Sequence, residues 1–172
     1  RGVKTDEYLR TSLPNLYAAG DVNGHSLLAH TAVPEAEVAV DHILGREINP
    51  MSYRAIPGVV YTHPEIAGVG FTEDALKNGD KVYTKLMLPM SYSGRFVAEN
   101  EMASGFCKVI VNPEGKILGV HMLGNPCSEL IVTAGLAIER GMTAHELSEI
   151  IFPHPSVAEI LKETLETFPR TH

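Results

Sequence analysis

Two apolar runs, residues 105–111 and 117–123, flank the five residues Asn112-Pro113-Glu114-Gly115-Lys116. This pattern limits the fold more than any other, because a short Pro- and Gly-containing connection between two strand-like runs predicts a β-hairpin. Other strands suit the same antiparallel sheet. Val59-Val60-Tyr61-Thr62 is one, His63-Pro64-Glu65 turns it, Ile66 to Phe71 is a second, and Lys81 to Pro89 is a third with imperfect alternation. Residues 72–79 run from a capping threonine to a glycine, as a short helix does. Asn125-Pro126 opens a helix from about Cys127 to Arg140, which Gly141 stops, and its broad apolar face predicts deep burial. Thr143-Ala144-His145-Glu146 fits a capping box and opens a short helix to about Ile150. Residues 91–101 are a polar connection to which the pattern assigns no element. Strands grouped ahead of helices, without a βαβ rhythm, predict an α+β fold with helices packed on one face of an antiparallel sheet.

The first 50 residues are of another kind. Leu16-Tyr17-Ala18-Ala19 reads as a short buried strand ending at Gly20-Asp21. Asp21 either serves a turn, the usual job of an acid at a strand end, or offers a carboxylate to a ligand hydroxyl at a sheet edge. Leu27-Leu28-Ala29-His30 leads into a helix of about residues 31–44, with Gly45 as its stop and Pro34 placing the first turn at residues 31–34. Amides at such a start can face an anion or a polarised carbonyl oxygen. One strand and one helix cannot bury both their faces, so residues 1–50 are expected to be a strand-helix remnant of a larger domain and residues 51–172 a domain of their own. The start at Arg1, without an initiator methionine, predicts a processed or trimmed piece of something longer.

Several function classes are disfavoured by composition. A formal charge of −7, with no basic cluster, argues against nucleic-acid binding. No apolar stretch approaches the roughly 18 residues that span a membrane. The two cysteines, Cys107 and Cys127, make neither a disulfide framework nor a C-x-x-C pair, so buried free thiols in a reducing, cytoplasmic compartment are expected. Eight histidines include no H-x-H or H-E-x-x-H spacing, and no metal is expected. Gly68-Val69-Gly70 lacks the third glycine of a dinucleotide loop and suits close packing within a strand. His121 and His145 read as strand and helix-start residues.

Pro153-His154-Pro155-Ser156-Val157-Ala158-Glu159 precedes an amphipathic run (Ile160, Leu161, Leu165) that predicts the last helix. Two readings compete for these residues. Ser156 and Glu159 have the spacing of a capping box, which leaves His154 a loop residue. Alternatively Glu159 leans back to His154, fixes its tautomer and makes the other ring nitrogen a better base. Spacing alone favours the cap, though Ser156 can cap the helix while Glu159 turns to His154.

Four segments together carry a resemblance. Residues 11–21 (Thr-Ser-Leu-Pro-Asn-Leu-Tyr-Ala-Ala-Gly-Asp) resemble the second flavin-binding motif of the pyridine nucleotide-disulfide oxidoreductases. Leu27 to His30 resembles the family's segment beside the isoalloxazine ring, Tyr61 to Glu73 the opening of its dimerisation domain, and His154 to Glu159 its C-terminal His-Pro…Glu signature. Within the family the dihydrolipoamide-oxidising branch is the nearest match, ahead of the glutathione-reducing branch. The mercury-reducing branch is set aside, because its C-terminal cysteine pair is absent here.

The resemblance implies roles. Asp21 would bond the ribityl chain of FAD, and Leu27, Leu28, Ala29 and His30 would face the flavin's pyrimidine edge. His154 would be the acid–base group at a dihydrolipoyl substrate or carrier domain, oriented by Glu159, and would serve the partner subunit's active site in a homodimer formed through residues 51–172. Electrons would leave for NAD. This chain lacks the G-x-G-x-x-G loop, the C-x-x-x-x-C redox pair and the nicotinamide domain, so alone it is expected to be inactive and to bind no cofactor. Ala36 and Ser156 stand where the family more often has glycine and threonine. A stand-alone dimerisation or adaptor module with vestigial motifs is the alternative.

Overall fold

The Asn112–Lys116 connection closes the hairpin as expected. The Asn112 amide donates to the Lys116 carbonyl at 3.0 Å, the Lys116 amide donates to Asn112 Oδ1 at 2.7 Å, and Gly115 supplies the positive φ of 80°. The structure, a computed structural model, describes residues 2–101 and 104–169, and the chain divides between Tyr53 and Arg54 into two compact units.

The first unit contains one long helix, α1 (Ala29–Ile43). The second holds strands β1 (Gly58–Val60), β2 (Ile66–Gly70), β3 (Thr84–Pro89), β4 (Phe106–Val111) and β5 (Ile117–Leu123). Its helices are α2 (Glu73–Asn78), α3 (Gly94–Glu99), α4 (Cys127–Glu139), α5 (Ala144–Ser148) and α6 (Glu159–Glu166). The strands form one antiparallel sheet in the order β1-β2-β5-β4-β3.

Register explains which side of this sheet is covered. Side chains alternate along a strand, so Ala67, Met122, Cys107 and Leu88 fall in one cross-strand row, and Val69, Val120, Val109 and Leu86 in the next on the same face. That apolar face receives α4 against β2 and β5, and α6 against β3 and β4. Ile131, Ala134, Ala137 and Ile138 of α4 join Ile160, Leu161 and Leu165 of α6 in one buried cluster with the sheet rows. On the opposite face the row runs Gly68, His121, Lys108, Met87. There Lys108 pairs with Glu73 of α2 at 2.9 Å, and His121 Nε2 donates to the Phe71 carbonyl at 3.0 Å. A Cβ at Gly68 would meet His121 Nδ1 at 2.7 Å. The glycine therefore makes room for the imidazole, as its strand position implied.

Several expected elements differ in detail. No strand forms at Leu16–Ala19; the segment makes one isolated bridge, Arg10 to Tyr17, inside a loop where Leu9 and Asn15 have φ of 64° and 60°. A strand needs a neighbouring strand, and among the described residues only the 9–11 segment pairs with it. Helix α1 starts at Ala29, two residues earlier than expected, so Pro34 lies in its second turn instead of its first. Strand β1 stops at Val60 and β3 begins at Thr84.

The unassigned 91–101 region contains a 3₁₀ turn (Met90–Tyr92) followed by α3, where Ser93 Oγ accepts from the Phe96 amide at 3.2 Å. Phe96, only 1% exposed, is the apolar anchor of a helix too short to show periodicity.

The Thr143 box closes on both sides: the Thr143 amide donates to Glu146 Oε2 at 2.7 Å, and the Glu146 amide to Thr143 Oγ1 at 3.2 Å. Replacing an N-cap threonine by alanine costs about 0.5–2 kcal/mol. Thr143→Ala should lower stability by that amount in urea unfolding while Thr143→Ser retains most of it. Equal midpoints for the two variants would count against the cap.

Candidate functional site

Glu159 opens α6 and His154 sits five residues earlier, before a cis His154–Pro155 bond. The Glu159 carboxylate accepts on both oxygens, from His154 Nδ1 at 2.8 Å and from the Ser156 amide at 2.7 Å. A carboxylate only accepts, so Nδ1 carries the proton and Nε2 is the free acceptor of the neutral ring. The His154 side chain is 83% exposed and that of Glu159 25%. The free Nε2 therefore lies on the side of the ring away from the held carboxylate, on an exposed side chain.

The S-x-x-E spacing yields half a capping box. Glu159 receives the Ser156 amide, but Ser156 Oγ is buried without a hydrogen-bond partner, and α6 begins behind Ala158 with no side-chain cap. The Ser156 carbonyl instead receives Ser93 Oγ at 3.1 Å. Of the expected division of labour, the Glu159–His154 contact forms and the Ser156 cap does not. Glu159 serves both backbone and imidazole, and Ser156 caps nothing.

The Ser156 amide, and after it the His154 ring, hold the Glu159 carboxyl below the usual glutamate range. A carboxyl depressed by folding stabilises the folded state above its unfolded value, and this contribution disappears as pH falls through the folded value. In a carboxyl-carbon NMR titration Glu159 should therefore show a midpoint below that of an unfolded peptide. His154→Gln should recover only part of the difference, since the Ser156 amide remains. An unshifted Glu159 would contradict the geometry.

The other group of sequence candidates lies in the first unit. Asp21 starts a 3₁₀ turn (Asp21–Asn23) behind Gly20, whose φ is 79°, and its side chain is exposed. Leu27 is exposed, Leu28 is the N-cap residue of α1 with no side-chain cap, and Ala29 and His30 are the first two helical residues. The four residues straddle the start of α1. A Cβ at Gly20 would meet the Ala32 Cβ at 3.3 Å, so the Asp21 turn lies close against the N-terminal half of the helix.

Beneath that turn is a residue to which sequence reading gave no role. Glu35 is fully buried and accepts from the Gly20 amide at 2.5 Å, from Asn23 Nδ2 at 2.9 Å and from the Tyr53 hydroxyl at 2.7 Å. Burial, then the neighbouring carboxylate, pushes the Tyr53 phenol well above its ordinary value. The available signal was spacing: Glu35 falls four residues from both Thr31 and Ala39, the other buried positions of α1.

Residues 56–165 match the family described as pyridine nucleotide-disulphide oxidoreductase, dimerisation domain. The chain belongs to that family. It is 41% identical over 163 residues to a dihydrolipoyl dehydrogenase of Chlorobaculum parvum, covering 94% of this chain and 34% of that relative. A dihydrolipoyl dehydrogenase of Buchnera aphidicola is 39% identical over 170 residues, covering 98% of this chain and 35% of the relative. The solved LpdA of Mycobacterium tuberculosis superposes with a TM-score of 0.90 at 29% identity, covering 98% of this chain and 37% of that one. The chain spans about a third of the length of the curated relatives it matches.

Within this dimerisation domain the Tyr61 to Glu73 segment has a structural task. Glu65 Oε2 accepts from the Ser128 amide in the first turn of α4 at 2.9 Å, and Asn125 Oδ1 accepts from the Glu65 amide at 3.3 Å. The helix expected to be capped by Asn125-Pro126 is capped by Glu65, from the turn between β1 and β2. Both cysteines are free and buried. Burial raises the Cys107 thiol to about 12 and the Cys127 thiol to about 11, so neither supplies a thiolate near neutral pH. Among the described residues no helix is long and apolar enough to cross a membrane, and no group of three or more histidine, cysteine, aspartate or glutamate side chains could hold a metal.

Proposed function

We propose that this chain supplies the acid–base pair and the dimer interface of an NAD-dependent dihydrolipoyl dehydrogenase. Residues 1–50 would be the tail of its FAD-binding domain and residues 51–172 its interface domain. The observation that carries the reading is the His154–Glu159 contact of 2.8 Å, with Nδ1 tied to the carboxylate and the ring otherwise exposed. His154 Nε2 takes the proton of a dihydrolipoyl thiol, and the thiolate so formed is the species competent to attack a disulfide sulfur. Glu159 holds the tautomer and offsets the charge of the imidazolium. When the sulfur–sulfur exchange is complete, His154 returns its proton to the departing thiolate, so the pair ends as it began.

The first unit fits part of a flavin site. The exposed Asp21 carboxylate suits a ribityl hydroxyl, and the start of α1, which has no side-chain cap, suits the electron-rich pyrimidine edge beside Leu27, Leu28, Ala29 and His30. FAD held there would supply the two-electron relay between the redox disulfide and NAD⁺. The present 172 residues contain neither the G-x-G-x-x-G loop nor a C-x-x-x-x-C pair, so alone they would hold half a flavin site and turn over no substrate. Cytoplasmic location, homodimerisation, and a lipoyl-bearing carrier as partner belong to the same reading.

Service in trans is testable in full-length dimers. A heterodimer of one His154→Gln chain and one chain lacking its redox disulfide has one complete site, made from both subunits. About half of wild-type turnover is expected, against little in either parental homodimer. A heterodimer as inactive as its parents would mean that His154 does not work across the interface.

A further inference from the structure

We propose that Glu35, with Tyr53 behind it, is a positioning residue for flavin binding that acts through Asp21. This rests on the flavin reading of the first unit. Asp21 is exposed. Its place is set by the backbone on either side, and both sides are fastened to the same buried oxygen. Glu35 Oε2 takes the Gly20 amide immediately before Asp21 and the Asn23 side-chain amide two residues after it.

Gly20 has φ 79° and ψ −160°, a conformation that only glycine adopts readily, so the chain enters the turn through a freely rotating residue. The bond from Glu35 removes that freedom. The other oxygen, Oε1, is held by the Tyr53 hydroxyl at 2.7 Å, and the Tyr53 ring lies 5.2 Å from that of His25, whose amide donates to Asn23 Oδ1 at 2.8 Å. Tyr53 therefore reaches the turn by two routes, through Glu35 and through His25.

A fully buried carboxylate is costly unless its oxygens are satisfied, and hydrogen bonds to a charged group are about twice as strong as neutral ones. Oriented in this way, Asp21 binds a hydroxyl without first paying the entropy of ordering its loop.

The test uses the full-length apoprotein and measures FAD affinity by quenching of flavin fluorescence. Glu35→Met keeps the bulk and removes the acceptors, and should weaken FAD binding roughly tenfold, the loss expected when charged hydrogen bonds that order a site disappear. Glu35→Gln keeps one acceptor and should recover most of the affinity. Tyr53→Phe, which leaves Glu35 in place, should give an intermediate loss and serves as the measurement if Glu35→Met does not fold.

Each variant is also combined with Asp21→Ala. If Glu35 works through Asp21, its effect vanishes in that background. Full additivity would overturn the proposal, because a residue acting only through general stability gives the same loss with or without Asp21. Unchanged FAD affinity in Asp21→Ala alone would instead overturn the flavin reading of Asp21, and the positioning role with it.

Discussion

His154→Gln in the full-length enzyme is expected to lower turnover with dihydrolipoamide by a factor of roughly 10²–10⁴, the range for loss of a positioned general base. Glutamine keeps a polar side chain of similar length, with its amide near where Nε2 stood, but that amide does not titrate. Protein stability should barely move, since the His154 side chain is 83% exposed and buries little apolar surface. Glu159→Gln should cost less. It leaves the imidazole in place but weakens the preference for the Nδ1 proton, and it also loosens the Ser156 amide. The pH profile separates the two variants. Glu159→Gln retains the fall in rate on the acid side of the profile, because the ring nitrogen that takes the proton is still present. His154→Gln loses that fall. Near-wild-type turnover in His154→Gln would return the residue to an ordinary loop position.

Leu165→Ala is expected to destabilise the protein by about 2–5 kcal/mol, the range for removing a buried leucine. Leu165 is fully buried with Ile160 and Leu161 on the inner side of α6, facing the rows of β3 and β4. An eight-residue helix has little stability of its own, so this packing is what keeps α6 folded. Glu163, on the exposed side, provides the control: Glu163→Ala should stay within about 0.5 kcal/mol of wild type. Urea midpoints measure both. Because α6 carries Glu159 at its first residue, Leu165→Ala should also weaken the His154–Glu159 contact, visible as a Glu159 carboxyl titration nearer the unfolded value. A loss below about 1 kcal/mol would mean that the helix is held by something other than its apolar face.

How much of this was legible depended on the distance between partners. The 112–116 hairpin and the Thr143–Glu146 box bring together residues within five positions, and both formed as their spacing implied. The His154–Glu159 pair is equally local, yet spacing left two readings open because both use the same carboxylate. Only the fold showed that one carboxylate serves the backbone and the ring together. The loop at 9–18 was misjudged for a related reason. An apolar tetrad states a preference for extended structure, while a strand also requires a neighbour that lies beyond the sequence pattern.

By itself the sequence determined the alternation that assembles an antiparallel sheet with one apolar face, the helices suited to cover it, and the family motifs in order. Those properties are carried by each residue and its near neighbours. The tertiary structure alone decided what the buried Glu35 and the half-buried Glu65 do. Glu65 caps a helix that starts 62 residues further on, and Glu35 gathers Gly20 and Asn23 from one turn and Tyr53 from far along the chain. A carboxylate in a sequence announces a charge and nothing about its partners. Once buried it must have donors, and the fold determines which segments supply them.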